Sequence, residues 1–146
     1  ERMALLAVSS IYGVELLQDN VEACIERLYK LADEYYTNLY KEKGNDNFRK
    51  SIRFVLGRNI LQGDALTLKT ENGKAHIIFS EWALVNGSKI KRRDFEFREL
   101  ADFDPSRPTL FSLREVSDTG EAVFSPMPIK EFPIKHYLQL DYEDTK

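Results

Sequence analysis

The apolar residues of the N-terminal third recur at helical spacing, and this pattern constrains the fold more than any other feature. Asp19, followed by Glu22, matches a capping box, in which each side chain accepts a hydrogen bond from a free amide at the helix start. Apolar residues then follow at steps of three and four until Gly44, which can end the helix. They are Val21, Cys24, Ile25, Leu28, Leu31, Ala32, Tyr35 and Leu39. We therefore expect a long helix with this stripe against the core, preceded by a shorter helix over roughly residues 3–17.

The pattern changes from helical to alternating after Gly44, which indicates a sheet. Asn72-Gly73 and Asn86-Gly87 are pairs that accept the positive φ angles of tight hairpin turns. Strands joined by such turns form an antiparallel meander, against which the long helix can lie. The candidate strands are residues 51–57, 65–70, 75–85 and 89–98.

The C-terminal part is punctuated by prolines. Residues 101–108 are predicted to form a loop, and residues 109–116 and 121–124 a short hairpin. Further prolines make the next stretch extended, and residues 134–143 are predicted to form a closing helix. The sequence thus predicts one α+β domain over residues 1–146. Residues 1–43 are expected to be helical, 44–125 mainly antiparallel sheet, and 126–146 an extended segment with a closing helix.

Composition narrows the class of protein. The chain has 146 residues, of which 42% are hydrophobic and 31% charged, a balance that excludes both a disordered chain and a membrane-embedded one. No apolar run approaches the roughly 18 to 20 residues of a membrane span. Cys24 is the only cysteine, so no disulfide can form within the chain. We therefore expect a protein of a reducing compartment, the cytoplasm.

The net charge of −3 conceals a basic middle segment. Residues 44–100 hold eleven basic and seven acidic side chains. Strand geometry puts Lys89, Lys91 and Arg93 on one face with Phe95 and Phe97, and basic groups beside aromatic rings are typical of nucleic-acid surfaces. The alternative is a solvated edge that prevents aggregation between sheets. The predicted nucleic-acid contacts are Lys50, Arg53, Arg58, Lys89, Lys91, Arg92, Arg93 and Arg98.

Tyrosines on the long helix suggest a protein contact. Tyr29, Tyr36 and Tyr40 lie between its expected buried side and its flank. Tyrosine joins a large apolar ring to a polar tip, which suits surfaces where proteins meet, including a homodimer. The alternative is that these rings only shield the junction between helix and sheet.

Motifs for catalysis and metal binding are not found in the sequence. His76 and His136 are the only histidines, and neither has a cysteine or second histidine at metal-ligand spacing. The chain also contains neither a phosphate-binding glycine loop nor a nucleophile elbow. We therefore predict a protein that is not an enzyme and has no catalytic residue, metal or cofactor.

Five short segments, taken in order, resemble the MobI-type proteins of conjugative plasmids and integrative elements. They are LADEYY (31–36), IIFSEW (77–82), KIKRR (89–93), FSPMP (124–128) and YED (142–144). The resemblance implies a non-catalytic accessory factor that acts on DNA near an origin of transfer, beside a relaxase, when conjugative transfer begins. The alternative function is an acidic protein-interaction module, either a regulatory adaptor or an inhibitor of a basic nucleic-acid-binding partner.

Overall fold

A computed structural model of the chain describes residues 1–98, 113–116, 122–125 and 127–142. It confirms the α+β class, with three helices and an antiparallel sheet. The helices are α1 (Arg2–Ser9), α2 (Gln18–Tyr40) and α3 (Asp46–Asn59), and the 3-10 turn Lys41–Lys43 lies between the last two. The strands are β1 (Gly13–Glu15), β2 (Ile60–Gln62), β3 (Ile78–Val85), β4 (Lys89–Glu96), β5 (Leu113–Val116), β6 (Ala122–Ser125), β7 (Lys130–Glu131) and β8 (Lys135–His136).

The α3 helix forms the centre of the core. Asn45 caps it, because its side-chain oxygen accepts a hydrogen bond from the Asn47 amide at 3.0 Å. Its inward side chains include Phe48 and Val55, which are fully buried against α1, α2 and the sheet. The predicted strand over residues 51–57 is therefore wrong. The prediction that residues 44–125 are mainly sheet is also wrong at its start, because residues 46–59 are helical. A short apolar run does not separate a buried helix from a strand.

The α2 helix has the predicted extent but a different orientation. The capping box does not form, because the helix begins at Gln18 and the Asp19 carboxylate accepts from the neighbouring Asn20 amide. Tyr36 is buried, whereas Leu39 and Tyr35 of the predicted inward stripe are 78% and 68% exposed. The helix packs on α3 rather than directly across the sheet. Its inward face comprises Val21, Ile25, Leu28, Tyr29, Ala32 and Tyr36.

The predicted helix over residues 3–17 is only partly correct, because α1 ends at Ser9. The chain then forms β1, which pairs in parallel with β2 through Gly13 and Ile60. Leu5 is the fully buried residue of α1, while Leu17 is exposed. Parallel pairing of β1 with β2 brings the segment between α1 and α2 alongside the residues that follow α3.

The hairpin at Asn86-Gly87 is confirmed. Strands β3 and β4 pair over their whole length, and Asn86 and Gly87 have φ angles of 48° and 77°. The turn at Asn72-Gly73 also forms, with the Gly73 amide donating to the Thr70 carbonyl at 2.8 Å. Only isolated bridges flank that turn, so the predicted strand over residues 65–70 is wrong.

The second edge of β4 is occupied by the C-terminal segment. β7 and β8 both pair antiparallel with β4, and turns follow β8 as far as residue 142. Within the described residues 134–142 no helix forms, so the predicted closing helix is wrong there. β5 and β6 form the predicted short hairpin. The predicted loop over residues 101–108 and the turn over residues 117–120 lie outside the described residues.

In the parts of the chain that the structure describes, no helix is both long and apolar enough to cross a membrane.

Candidate nucleic-acid interface

Alternation along β4 divides its basic residues between the two faces of the sheet. Ile90 belongs to the core beneath α3, and Arg92 shares its face. Lys89, Lys91 and Arg93 point to the opposite face, as the sequence predicted. Arg92 was grouped with them as a contact residue, but it lies on the side of the helices.

The strand face turned away from the helices is largely neutralised. Lys91 forms an ion pair with Glu131 at 2.8 Å, and Arg93 forms one with Glu81 at 2.7 Å. The hydrogen bond from Lys91 holds the pKa of the Glu131 carboxyl below its usual value. Lys89 is exposed and, within the described residues, has no ion-pair partner. The predicted contact face therefore offers little free positive charge.

The aromatic end of that face is a packed cluster rather than an exposed platform. Phe95 is buried and lies opposite Phe79 in the sheet register. Phe97 meets Phe79 edge to face at 4.9 Å, and Tyr12 meets the same ring at 5.2 Å. These rings are therefore engaged with one another, and Phe95 is not accessible to a base.

The basic residues of α3 do not join the β4 cations on one surface. Arg53 pairs with Glu26 of α2 at 2.9 Å, and its guanidinium lies 3.9 Å from the centre of the Tyr29 ring. Lys50 and Arg58 are exposed on α3, on the other side of the sheet from Lys91. The sequence left this convergence open, and the structure does not show it. Arg98 is exposed just after β4 and has an interaction of its own.

A different group of cations does converge, in a cavity of about 380 Å³ between α3 and the C-terminal edge of the sheet. Trp82 and Ile90 form its apolar floor, and α3 forms one wall. The segment that contains β7 and β8 forms the other wall. The cationic side chains of the lining are Arg58, Arg92, Lys130 and Lys135, and its aromatic side chains are Phe54, Trp82, Phe132 and Tyr142.

Arg92 is held rigidly in this cavity. Its guanidinium donates to both oxygens of Asp94, at 2.9 and 2.7 Å, and to the Ser80 hydroxyl at 3.0 Å. Its guanidinium carbon, Cζ, lies 3.9 Å from the centre of the Phe132 ring. A bidentate ion pair on a largely buried carboxylate fixes both position and orientation. Arg92 therefore has a fixed position in the cavity lining, and Asp94 neutralises much of its positive charge.

An irregular edge strand shapes the opposite wall. Glu131 pairs with Arg93 and Lys135 pairs with Ile90, so three residues of the edge strand lie opposite two of β4. This is a bulge, and Pro133 within it has no amide to donate. The Phe132 amide still bonds to the Arg92 carbonyl at 3.0 Å. The bulge thus places Phe132 and Pro133 over the cavity.

A buried hydrogen-bond chain fixes the floor. The Trp82 indole donates to the Asn59 side-chain oxygen at 2.9 Å, and the Asn59 amide group donates to the Ser9 carbonyl at 2.9 Å. Phe54 meets the Trp82 ring edge to face at 6.0 Å. Trp82 is therefore a core residue whose ring also faces the cavity.

Three groups at the cavity are available to a ligand. Within the described residues, Arg58 and Lys130 have no ion-pair partner. Tyr142 is 59% exposed. Glu131 is the carboxylate in the lining, and Lys91 already binds it. The arrangement suits an anion that also carries a flat ring.

The tyrosines predicted to contact a partner are largely structural. Tyr36 is only 4% exposed, and its hydroxyl accepts from the Asn45 amide and donates to Glu1, at 2.7 and 2.5 Å. It cannot be a surface contact, so that prediction is wrong. Tyr29 lies beneath Arg53, and Tyr40 stacks on Tyr36 at 4.7 Å with 38% exposure.

Four residues of the cavity lining were not predicted as site residues, namely Lys130, Phe132, Lys135 and Tyr142. For the first three, the signal was the segment KEFPIK (130–135), which begins and ends with lysine and contains an aromatic residue next to a proline. The sequence pattern predicted extended backbone for residues 130–133 and the start of the closing helix for residues 134 and 135. Within the described ranges, no group of three histidine, cysteine or acidic side chains is placed to hold a metal ion.

Comparisons of the chain with models of protein families, with curated protein sequences and with solved structures find no match.

Proposed function

We propose that this protein is a non-catalytic nucleic-acid-binding factor whose contact surface is the cavity between α3 and the β7–β8 edge. The observation that carries the proposal is the convergence there of four cations and four aromatic rings. Cations hold phosphates and rings stack on bases, so both parts of a nucleotide find a partner. The proposed phosphate contacts are therefore Arg58 and Lys130 at the cavity, beside the already bound Arg92 and Lys135, rather than the outward face of β4.

The balance of charge supports the cavity over the strand face. Lys91 and Arg93 are each bound to a carboxylate, so a phosphate would have to displace that partner. Arg58 and Lys130 face no such competition within the described residues. Binding a phosphate at the cavity therefore requires less free energy to break existing ion pairs than binding it on the strand face.

The biological setting that we propose is conjugative DNA transfer. It rests on the resemblance of the short sequence segments to MobI-type factors. In that setting the protein binds DNA near an origin of transfer and assists a relaxase. Comparing binding to origin DNA with binding to unrelated DNA of equal length tests the setting separately from DNA binding itself.

The experiment for the proposed function is a titration of fluorescein-labelled DNA, followed by anisotropy at about 50 and about 200 mM salt. In the Arg58→Gln/Lys130→Gln variant we expect affinity to fall at least tenfold, because one lost charge-assisted hydrogen bond costs about 1.5 kcal/mol. The slope of the logarithm of the affinity against the logarithm of the salt concentration should also become shallower by about two.

Two double variants of equal charge change serve as controls. Lys69→Gln/Lys74→Gln alters two lysines that do not line the cavity and should leave affinity within about twofold. Lys91→Gln/Arg93→Gln tests the strand face. If only this second variant lost binding, the contact surface would be the one that the sequence predicted, and the cavity would be excluded.

A second candidate function follows from the outward face of α2. Leu31, Tyr35 and Leu39 form an exposed stripe, and the helix carries five acidic and two basic side chains. An acidic helix with an exposed apolar stripe suits a basic amphipathic partner protein. This would make the chain an adaptor or inhibitor rather than a DNA binder.

A helical leucine–lysine peptide is the probe for this second function. Calorimetry should show that the protein binds the peptide and that the Leu31→Lys/Leu39→Lys variant does not. Under this function, labelled DNA should show no change in anisotropy when it is titrated with the protein at low salt. Saturable DNA binding without any peptide binding would exclude it.

A further inference from the structure

The cavity is too small for a double helix, yet it has the size for one nucleotide. Its volume of about 380 Å³ lies at the lower end of the range for small-molecule sites. Its rings lie on the floor and walls, whereas a duplex keeps its bases stacked inside and presents phosphates on a convex surface. A base can reach these rings only after it leaves the stack.

The helices are also unsuited to the major groove of a duplex. α3 is covered by α2 on one side and by the sheet on the other, and Arg53 is bound to Glu26. The exposed face of α2 carries Leu39 and Tyr35 beside acidic residues. A recognition helix needs basic and polar side chains on a protruding face. Neither α2 nor α3 offers that face.

We propose that the cavity selects unpaired nucleotides, so that the protein binds single-stranded DNA in preference to duplex. The inference rests on the proposed nucleic-acid function and specifies its substrate. Tyr142 is the stacking ring at the entrance, because it is the most exposed aromatic side chain of the lining. Arg58 and Lys130 hold the flanking phosphates.

The fixed walls explain why one base would fit without rearrangement. Arg92 is locked by Asp94 and stacked on Phe132, and Trp82 is locked by Asn59. A pocket whose walls do not move loses little entropy when a ligand enters. Pro133, in the bulge, also lines the cavity and is itself exposed.

The test compares three probes by anisotropy and by competition at low salt. They are labelled oligodeoxythymidylate of about 20 nucleotides, a duplex of the same length, and thymidine monophosphate as competitor. We expect the single strand to bind at least about tenfold more tightly than the duplex, which must first expel a base. We also expect the monophosphate to compete only at much higher concentration, because it lacks the flanking phosphates.

Variants at Tyr142 test the stacking directly. Tyr142→Ala should weaken single-strand binding about tenfold and leave duplex binding unchanged, whereas Tyr142→Phe should keep the wild-type affinity. The matched control is Tyr35→Ala, an equally exposed tyrosine on α2 that does not line the cavity. It should change neither affinity.

The outcomes separate the two proposals. If no DNA binds at low salt, the proposed function fails. If duplex binds as tightly as single strand, or if Tyr142→Ala leaves single-strand binding intact, the function stands and the selection of unpaired nucleotides is overturned. A monophosphate that competes as well as the oligonucleotide would show that a free nucleotide is the occupant, and would also overturn it.

Discussion

α2 and α3 are both amphipathic helices, but they contribute to the fold in opposite ways. α2 has 23 residues, of which two are buried, and α3 has 14, of which six are buried. α3 lies between α2 and the sheet, so it is enclosed on two sides. α2 covers only one side of α3. A strong periodic pattern thus identifies a helix without showing how much of the core it supplies.

The largest expected effect comes from the core of α3. Phe48 is fully buried and meets Tyr36 of α2 at 4.5 Å. Phe48→Ala should lower the free energy of unfolding by about 3–5 kcal/mol, because a large cavity remains. Urea unfolding followed by circular dichroism measures this loss. A loss below 1 kcal/mol would contradict the view that α3 holds the core together.

The next largest effect tests the polar link from α3 to the sheet and α1. Asn59→Ala removes the partners of the Trp82 indole and the Ser9 carbonyl, leaving two buried polar groups unpaired. We expect a loss of about 2–3 kcal/mol in unfolding free energy. Trp82 fluorescence should shift if the indole finds water instead. An unchanged free energy of unfolding would show that this hydrogen-bond chain does not stabilise the fold.

The α2 helix should respond more weakly, even at Tyr36, one of its two buried residues. Tyr36→Phe keeps the ring but removes the acceptor for the Asn45 amide. We expect a loss of about 1–1.5 kcal/mol in unfolding free energy. If this variant cost as much as Phe48→Ala, the contrast between the two helices would disappear.

Alkaline pH probes the hydroxyl contacts near α2. Burial, followed by the hydrogen bond to Glu1, raises the pKa of Tyr137 from 10.0 to about 12. Because the neutral phenol is favoured in the folded state, its contribution to stability is complete below pH 10 and is lost as the pH rises through about 12. Absorbance of the phenolate should show late-titrating tyrosines, and Tyr137→Phe should remove one of them.

The smallest effect is expected on the outer face of α2. Leu39→Ala alters a side chain that is 78% exposed and should change the free energy of unfolding by less than about 0.5 kcal/mol. The sequence pattern predicted it to be buried, for which a loss of 2–5 kcal/mol would follow. Urea unfolding therefore decides between the two orientations of the helix.

Local signals predicted those elements whose structure depends on neighbouring residues. The Asn86-Gly87 hairpin formed because few other residue pairs accept two consecutive positive φ angles. The extent of α2 followed from its continuous periodicity. The strand predicted at residues 51–57 was wrong, because seven consecutive residues of a buried helix carry the same apolar composition as a strand.

The candidate site was predictable only in part. Arg58 and Arg92 were identified as cations, but their convergence depends on how α3 crosses the sheet. Lys130 and Lys135 were missed because they lie about 40 to 80 residues from these two positions in the sequence. Pairing of carboxylates with Lys91 and Arg93 was likewise invisible, since it depends on the register of β3, β4 and β7.

The sequence by itself determined the α+β class, the long helix, the central hairpin and the alternation that divides the β4 cations between two faces. These follow from backbone preferences and from the spacing of side chains along one element. Only the tertiary structure decided which helix fills the core, which cations are neutralised and which remain free at the cavity. Those outcomes depend on contacts between distant segments, where burial and charge pairing are set by geometry rather than by local sequence.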